Sequence, residues 1–147
     1  MTETTRCDVL IIGGGPAGAS CARALKQAGL DVRVLDKSSF PRDKVCAGWV
    51  TPQVLAALDI DTADYARGRV LQPISGFRTG LIGNQAMDTD YDRTISYGIR
   101  RCEFDHYLLQ HAGVPLLLGE PVRSLQRNDY GWRVNDHIET RLLIGAG

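Results

Sequence analysis

The chain has 147 residues, with 17 basic and 17 acidic side chains and no net formal charge, a length that suits one domain able to bury a core. The balanced charge excludes the basic footprint of a nucleic-acid binder, and no apolar run approaches the roughly 18 residues a transmembrane helix needs. Cys7, Cys21, Cys46 and Cys102 show no paired spacing and join no histidine cluster, so neither a metal site nor a disulfide framework is expected.

The first predicted element is a strand, Val9-Leu10-Ile11-Ile12, which runs into Gly13-Gly14-Gly15-Pro16-Ala17-Gly18. In that cluster Gly13 permits a tight turn, Gly15 lets a pyrophosphate approach the backbone, and Gly18 lets helix and strand pack closely. A helix follows over residues 19–28, with Ala22, Leu25 and Ala28 on one face, and Gly29 ends it. A second strand over residues 31–35 closes on Asp36, 23 residues beyond Gly13. A carboxylate about 20 residues past the glycines is placed to accept both hydroxyls of an adenosine ribose, which argues for FAD or NAD over NADP. The alternatives are a ligand-free glycine turn and an ordinary carboxylate at a strand end.

Residues 37–48 read as a polar loop carrying Arg42 and Lys44, and Thr51-Pro52 starts a short helix to about residue 58. The stretch 59–72 is ambiguous. Residues 74–81 and 85–91 read as a hairpin, and 95–99 as another strand. A helix is predicted over 103–112, with Phe104, Tyr107, Leu108 and His111 as its apolar stripe. Next come a buried strand at 114–118 and a meander with strands near 121–127, 131–135 and 137–144. Residues 141–147 look like a core strand entering another glycine turn. An end on such a glycine predicts that the chain is a piece of a longer protein. Cys7, Cys21 and Cys102 are expected to be buried. Residues 1–6 leave no room for a secretory leader, and the scattered cysteines read as reduced thiols of a cytoplasmic protein. Arg100 and Arg101 sit at a helix start, where cations oppose the dipole. An anion, or Glu103 and Asp105, would compensate them. Trp49 either walls a site or packs in the core.

Three separated segments carry a family resemblance. They are Gly13-Gly14-Gly15-Pro16-Ala17-Gly18 with Asp36, the segment Phe40-Pro41-Arg42-Asp43-Lys44-Val45-Cys46-Ala47-Gly48, and Arg101-Cys102-Glu103-Phe104-Asp105-His106-Tyr107-Leu108. Together they resemble the FAD-dependent oxidoreductases of the glutathione-reductase/p-hydroxybenzoate-hydroxylase fold type, most of all the geranylgeranyl reductase-like group. The second segment looks like that group's PxxKxCGG motif, with Ala47 in place of its first glycine. The resemblance implies an α/β fold: a Rossmann-like FAD-binding domain with a parallel sheet, a β-meander and part of a mixed-sheet insertion. That domain spans 1–147, with part of a substrate-side insertion inside 37–100.

Implied cofactor residues are Gly13, Gly15, Pro16, Ala17, Gly18, Asp36, Lys37, Arg42, Lys44, Cys46, Ala47, Gly48 and Arg101, with Cys46 on the substrate side of the flavin. The implied activity is flavin-dependent reduction of a small-molecule or prenyl-type alkene, with NAD(P)H as a transient reductant. Flavin monooxygenase or halogenase chemistry, a nicotinamide-dependent dehydrogenase and a non-catalytic nucleotide-binding module stand as alternatives. The later Gly-Asp segment and substrate cover of the family are not in the sequence. The chain alone is therefore expected to hold FAD weakly, to turn nothing over and to self-associate through a sheet edge.

Overall fold

Val9, Leu10 and Ile11 are all fully buried, which three successive strand residues achieve only when both faces of their sheet are covered. The computed structural model describes residues 4–147; residues 1–3, the front of the segment read as too short for a leader, lie outside the described residues. In chain order the elements are β1 (Thr5–Ile12), α1 (Pro16–Gln27), β2 (Val32–Asp36), β3 (Trp49–Val50), α2 (Pro52–Ala57), α3 (Thr62–Tyr65), β4 (Leu71–Ile74), β5 (Gly76–Thr79), β6 (Met87–Asp90), β7 (Ser96–Ile99), α4 (Arg101–Ala112), β8 (Leu116–Leu118), β9 (Leu125–Arg127), β10 (Trp132–Val134) and β11 (Ile138–Gly145). They fall into two units, one formed by the residues up to Asp43 with Asp105–Gly147, the other by Lys44–Phe104.

The first unit is built on a six-stranded sheet ordered β8-β2-β1-β11-β10-β9. Its β8, β2, β1 and β11 run parallel, while β9, β10 and β11 form an antiparallel meander. Fold class and meander agree with expectation. Cys7, Leu10, Leu35, Val134 and Ile138 form a core with Ile12, Leu117 and Leu143 against it. The helix α1 starts three residues earlier than predicted because Pro16 supplies a pre-set φ at the first helical position. Of its predicted face Ala22 is buried, whereas Ala28 caps the helix end and is exposed.

The buried face of α4 is Phe104, Asp105, Leu108, Leu109 and Ala112 together with Tyr107. His111 is exposed and stacks on the Tyr107 ring at 4.3 Å. Residues 121–124 make no strand, and β11 is buried only over Ile138–Thr140, with Arg141 and Leu142 exposed. Cys7 alone of the cysteines is buried, and burial pushes its thiol pKa up; Cys21 and Cys102 are half-buried.

The second unit contains the sheets β3-β7-β4 and β5-β6. Ile74 ends β4 and does not enter the hairpin, and the ambiguous stretch holds the single turn α3, capped by Asp61 Oδ1. Trp49 is 55% exposed and meets Phe77 edge-on at 5.6 Å, which excludes the core position.

One electrostatic hub ties three strands of the large sheet. Glu139 pairs in register with Arg6 of β1 and with Arg133 of β10, accepting from Arg6 Nε at 2.9 Å and Arg133 Nη2 at 2.7 Å. Asn128 Nδ2 donates to the same carboxylate at 3.3 Å. The two guanidinium groups hold the Glu139 carboxyl below the usual carboxylate range. A depressed folded-state pKa contributes stability above the unfolded value near 4.3, lost as pH falls through the folded one. The variant Glu139→Gln is therefore expected to unfold at lower urea concentration than the parent at pH 7, with the gap closing in acid below about pH 4. Urea titrations at both pH values check this, and an equal gap at both would remove the electrostatic account.

Candidate nucleotide-binding site

The turn after β1 is closed by a few short-range constraints. Gly13 has φ +113°, its N–H donates to the Leu35 carbonyl at 2.8 Å, and the Ala146 N–H donates to the Ile12 carbonyl at 2.7 Å. A Cβ on Gly13 would lie 2.7 Å from the Ala146 carbonyl carbon and oxygen, and one on Gly18 would lie 1.8 Å from the Gly13 oxygen. Both glycines are thus required by the fold itself. Gly15 differs from both. A Cβ there would meet only Arg42 Nη2, at 3.5 Å, an ordinary contact, and its φ of −71° suits any residue. The space above Gly15 is left open at the N-terminus of α1. No side chain caps that end and no acidic residue occupies its first turn, so the unsatisfied amides and the positive end of the dipole face outward.

Asp36, 9% exposed at the end of β2, accepts from the Gly14 N–H at 2.7 Å through Oδ2 and from the Ser38 N–H at 2.8 Å through Oδ1. It is more than an ordinary strand-end acid, since it staples the glycine turn to the neighbouring strand. A carboxylate offers about four lone-pair positions, so two remain for a ligand's hydroxyls. Beside it lies a pocket of about 320 Å³ lined by Ile12, Gly13, Leu35, Asp36, Lys37, Glu120, Pro121, Val122 and Gly147. One end of the pocket is therefore the carboxylate and the glycine turn, and the other is the loop after β8.

Arg42 is explained by a partner that the sequence pattern did not reveal. Its Nη1 lies 3.4 Å from Oδ2 of the fully buried Asp105, and its guanidinium stacks on the Phe40 ring at 4.8 Å. The sequence offers Asp105 as a compensating charge for Arg100 and Arg101, not as a partner of Arg42. Its only signal is its place between Phe104 and Leu108, both on the buried stripe. Glu120, Pro121 and Val122 were also missed; the Gly119-Glu120-Pro121 break after a short apolar strand is the cue that could have found them.

The remaining predicted residues lie in the second unit. Lys44, Cys46 and Ala47 are exposed. Gly48 is buried with φ +68°, and a Cβ on it would come within 2.2 Å of the Ile99 oxygen, so close packing against β7 already demands glycine there. Arg101 opens α4 and is half-buried, while Arg100 pairs with Glu103 at 3.1 Å. No group of metal-ligating side chains occurs among the described residues, and no described helix is long and apolar enough to cross a membrane.

The chain is similar to menaquinone reductase of Mycobacterium tuberculosis, at 36% identity over 129 residues, covering 81% of this chain and 30% of that protein. It is also similar to a flavin-dependent halogenase of Acremonium egyptiacum, at 29% identity, covering 82% of this chain and 24% of the halogenase. Among solved structures, a geranylgeranyl bacteriochlorophyll reductase-like protein of Thermoplasma acidophilum superposes with a TM-score of 0.76 at 22% identity, over 97% of this chain and 39% of that one. The chain thus spans well under half the length of these proteins. The profile of the FAD dependent oxidoreductases matches residues 8–106, across the glycine turn, Asp36 and the start of α4, and the chain belongs to that family.

Proposed function

We propose that the chain is the FAD-binding portion of a flavin-dependent oxidoreductase, geranylgeranyl reductase-like, whose whole protein reduces an alkene in a small-molecule or prenyl-type substrate. The observation that carries this reading is the difference among the three glycines. Gly13 and Gly18 are filled in by the protein's own backbone, whereas Gly15 borders open space at an uncapped helix end beside Arg42. A diphosphate fits there: anionic, in need of amide donors, and excluded by any side chain at position 15. The amides from Gly13 to Gly18, including Ala17, would hold it, with Pro16 setting the helix entry. Asp36 and Lys37 would take the adenosine end, and Arg42 would add positive charge.

In the second unit Lys44, Cys46, Ala47, Gly48 and Arg101 are proposed for the flavin end, with Cys46 toward the substrate. When bound, FAD supplies hydride or oxygen chemistry; the chain's part is to hold the adenosine and diphosphate in fixed positions away from bulk water. NAD(P)H as reductant, a cytoplasmic setting, a substrate-side role for the insertion within 37–100 and self-association through the β8 or β9 edge complete the proposal. A monooxygenase or halogenase reading is favoured by the likeness to the Acremonium egyptiacum halogenase. It requires NAD(P)H oxidation by the whole protein to depend on oxygen, which the alkene reductase reading does not.

Two outcomes test the cofactor site. Gly15→Val should abolish FAD binding, read by flavin fluorescence quenching, while its melting temperature without nucleotide stays near the parent's. Gly18→Ala should lose the fold, because overpacking against a backbone carbonyl exceeds the roughly 1–3 kcal/mol that flexible cores absorb. Equal FAD affinity in Gly15→Val and the parent removes the diphosphate from this turn. Asp36→Ala should weaken FAD by about 10- to 150-fold, the equivalent of about 1.5–3 kcal/mol for hydrogen bonds to a charged group. Unchanged affinity leaves Asp36 with its stapling role alone.

A further inference from the structure

Asn135 lies outside every motif above, yet its side chain and its backbone N–H all act on one segment. It opens the turn between β10 and β11 with φ +48°, followed by Asp136 at +60°, a left-handed conformation that asparagine tolerates better than most residues. Its Oδ1 accepts from the Arg123 N–H at 2.7 Å and the Ser124 N–H at 3.3 Å. Its Nδ2 donates to Glu120 Oε1 at 2.7 Å and to the Pro121 carbonyl at 2.9 Å. Its backbone N–H donates to the Ser124 carbonyl at 3.1 Å. All five partners belong to residues 120–124, a stretch with no ladder of its own between β8 and β9. His137 adds one contact, with Nε2 3.2 Å from the same Glu120 oxygen, and its Nδ1 lies 2.6 Å from the Asn135 carbonyl.

That stretch is one wall of the 320 Å³ pocket: Glu120, Pro121 and Val122 line it, and Asn135 does not. On the far side the Glu120 N–H donates to the Asp36 carbonyl at 3.1 Å, so the wall is suspended between the Asp36 strand and the Asn135 side chain. Without the Asn135 side chain the Arg123 and Ser124 amides and the Pro121 carbonyl lose their partner, and on the meander side only the His137 contact to Glu120 and the backbone bond from residue 135 to Ser124 remain. A loop whose amides are satisfied by one side chain loses its shape when that side chain goes, because no ladder replaces the bonds.

From this we infer that Asn135 is a positioning residue for the nucleotide pocket, setting affinity for an adenine nucleotide by fixing Glu120, Pro121 and Val122 without touching the ligand. The inference rests on the proposed placing of the adenosine in this pocket. Its probe is Asn135→Gly, which keeps the left-handed backbone and deletes all four side-chain hydrogen bonds. The variant and parent are compared in FAD, ADP and AMP affinity, in melting temperature without nucleotide, and in hydrogen exchange at residues 120–124.

The expected result is a common weakening of all three nucleotides by about tenfold, with faster exchange at Arg123 and Ser124, measured where both proteins are folded. A purely structural role predicts a lower melting temperature with unchanged nucleotide affinity, and that result overturns the inference. Unchanged exchange at 120–124 overturns it as well, whatever the ligand does. Failure of the parent itself to bind FAD, ADP or AMP overturns the functional reading, and with it the adenosine role of the wall. Exchange faster only in the variant would then still leave Asn135 as the residue that orders the loop.

Discussion

A single close approach governs the first unit: the Gly13 carbonyl oxygen stands where a side chain at position 18 would begin. Because helix and turn touch through backbone, the start of α1 cannot slide or tilt relative to the end of β1. The Leu35 carbonyl and the Asp36 carboxylate then bind Gly13 and Gly14 from the neighbouring strand, and Ala146 closes the other flank. The turn is thereby held from both strands that flank β1. Gly15 sits on this fixed turn, and a side chain there would meet only the Arg42 guanidinium, at an ordinary contact distance.

Electrostatics are arranged around that rigid centre in two different ways. The Arg42–Asp105 pair is mostly removed from water, and such a pair carries a desolvation cost that its attraction only offsets. Its defensible role is placement, since a guanidinium stacked on Phe40 and tethered to α4 sits beside Gly15 in one position. Glu139, by contrast, joins β1, β11 and β10 across directly opposed positions, the arrangement in which cross-strand charges attract most effectively. The Arg42–Asp105 pair joins the loop after β2 to α4, and the two pairs made by Glu139 link three neighbouring strands of the sheet.

The second unit follows other rules. Its hairpin β5-β6 is exposed along both strands except at Gly76, with the Arg78–Asp88 pair on its surface. Exposed ion pairs of that kind add little stability. Trp49, Phe77 and Tyr91 form an edge-to-face chain at 5.6 and 6.4 Å, and Gly48 is held under β7 by the 2.7 Å bond from Ile99. Gly48 therefore has a packing reason to be glycine that is independent of any cofactor.

Sequence by itself determined the parts that depend on local spacing. Strand, glycine turn, helix, strand and acid are all set by periodicity and by residues that only certain backbones accept, so β1, α1, β2 and Asp36 were legible, as was the parallel strand β8. Tertiary structure decided everything that depends on which distant segments meet. Asp105 read as a compensating charge for Arg100 and Arg101 until the fold brought Arg42 beside it, and His111 fitted the apolar stripe until packing chose Leu109 instead. The stretch 121–124 carried the composition of a strand, yet Asn135 holds it as a loop from 11 to 15 residues away. Hydrogen bonds that cross the chain leave no periodic trace in it, because the pairing is fixed by the fold of the meander and not by the spacing of neighbours.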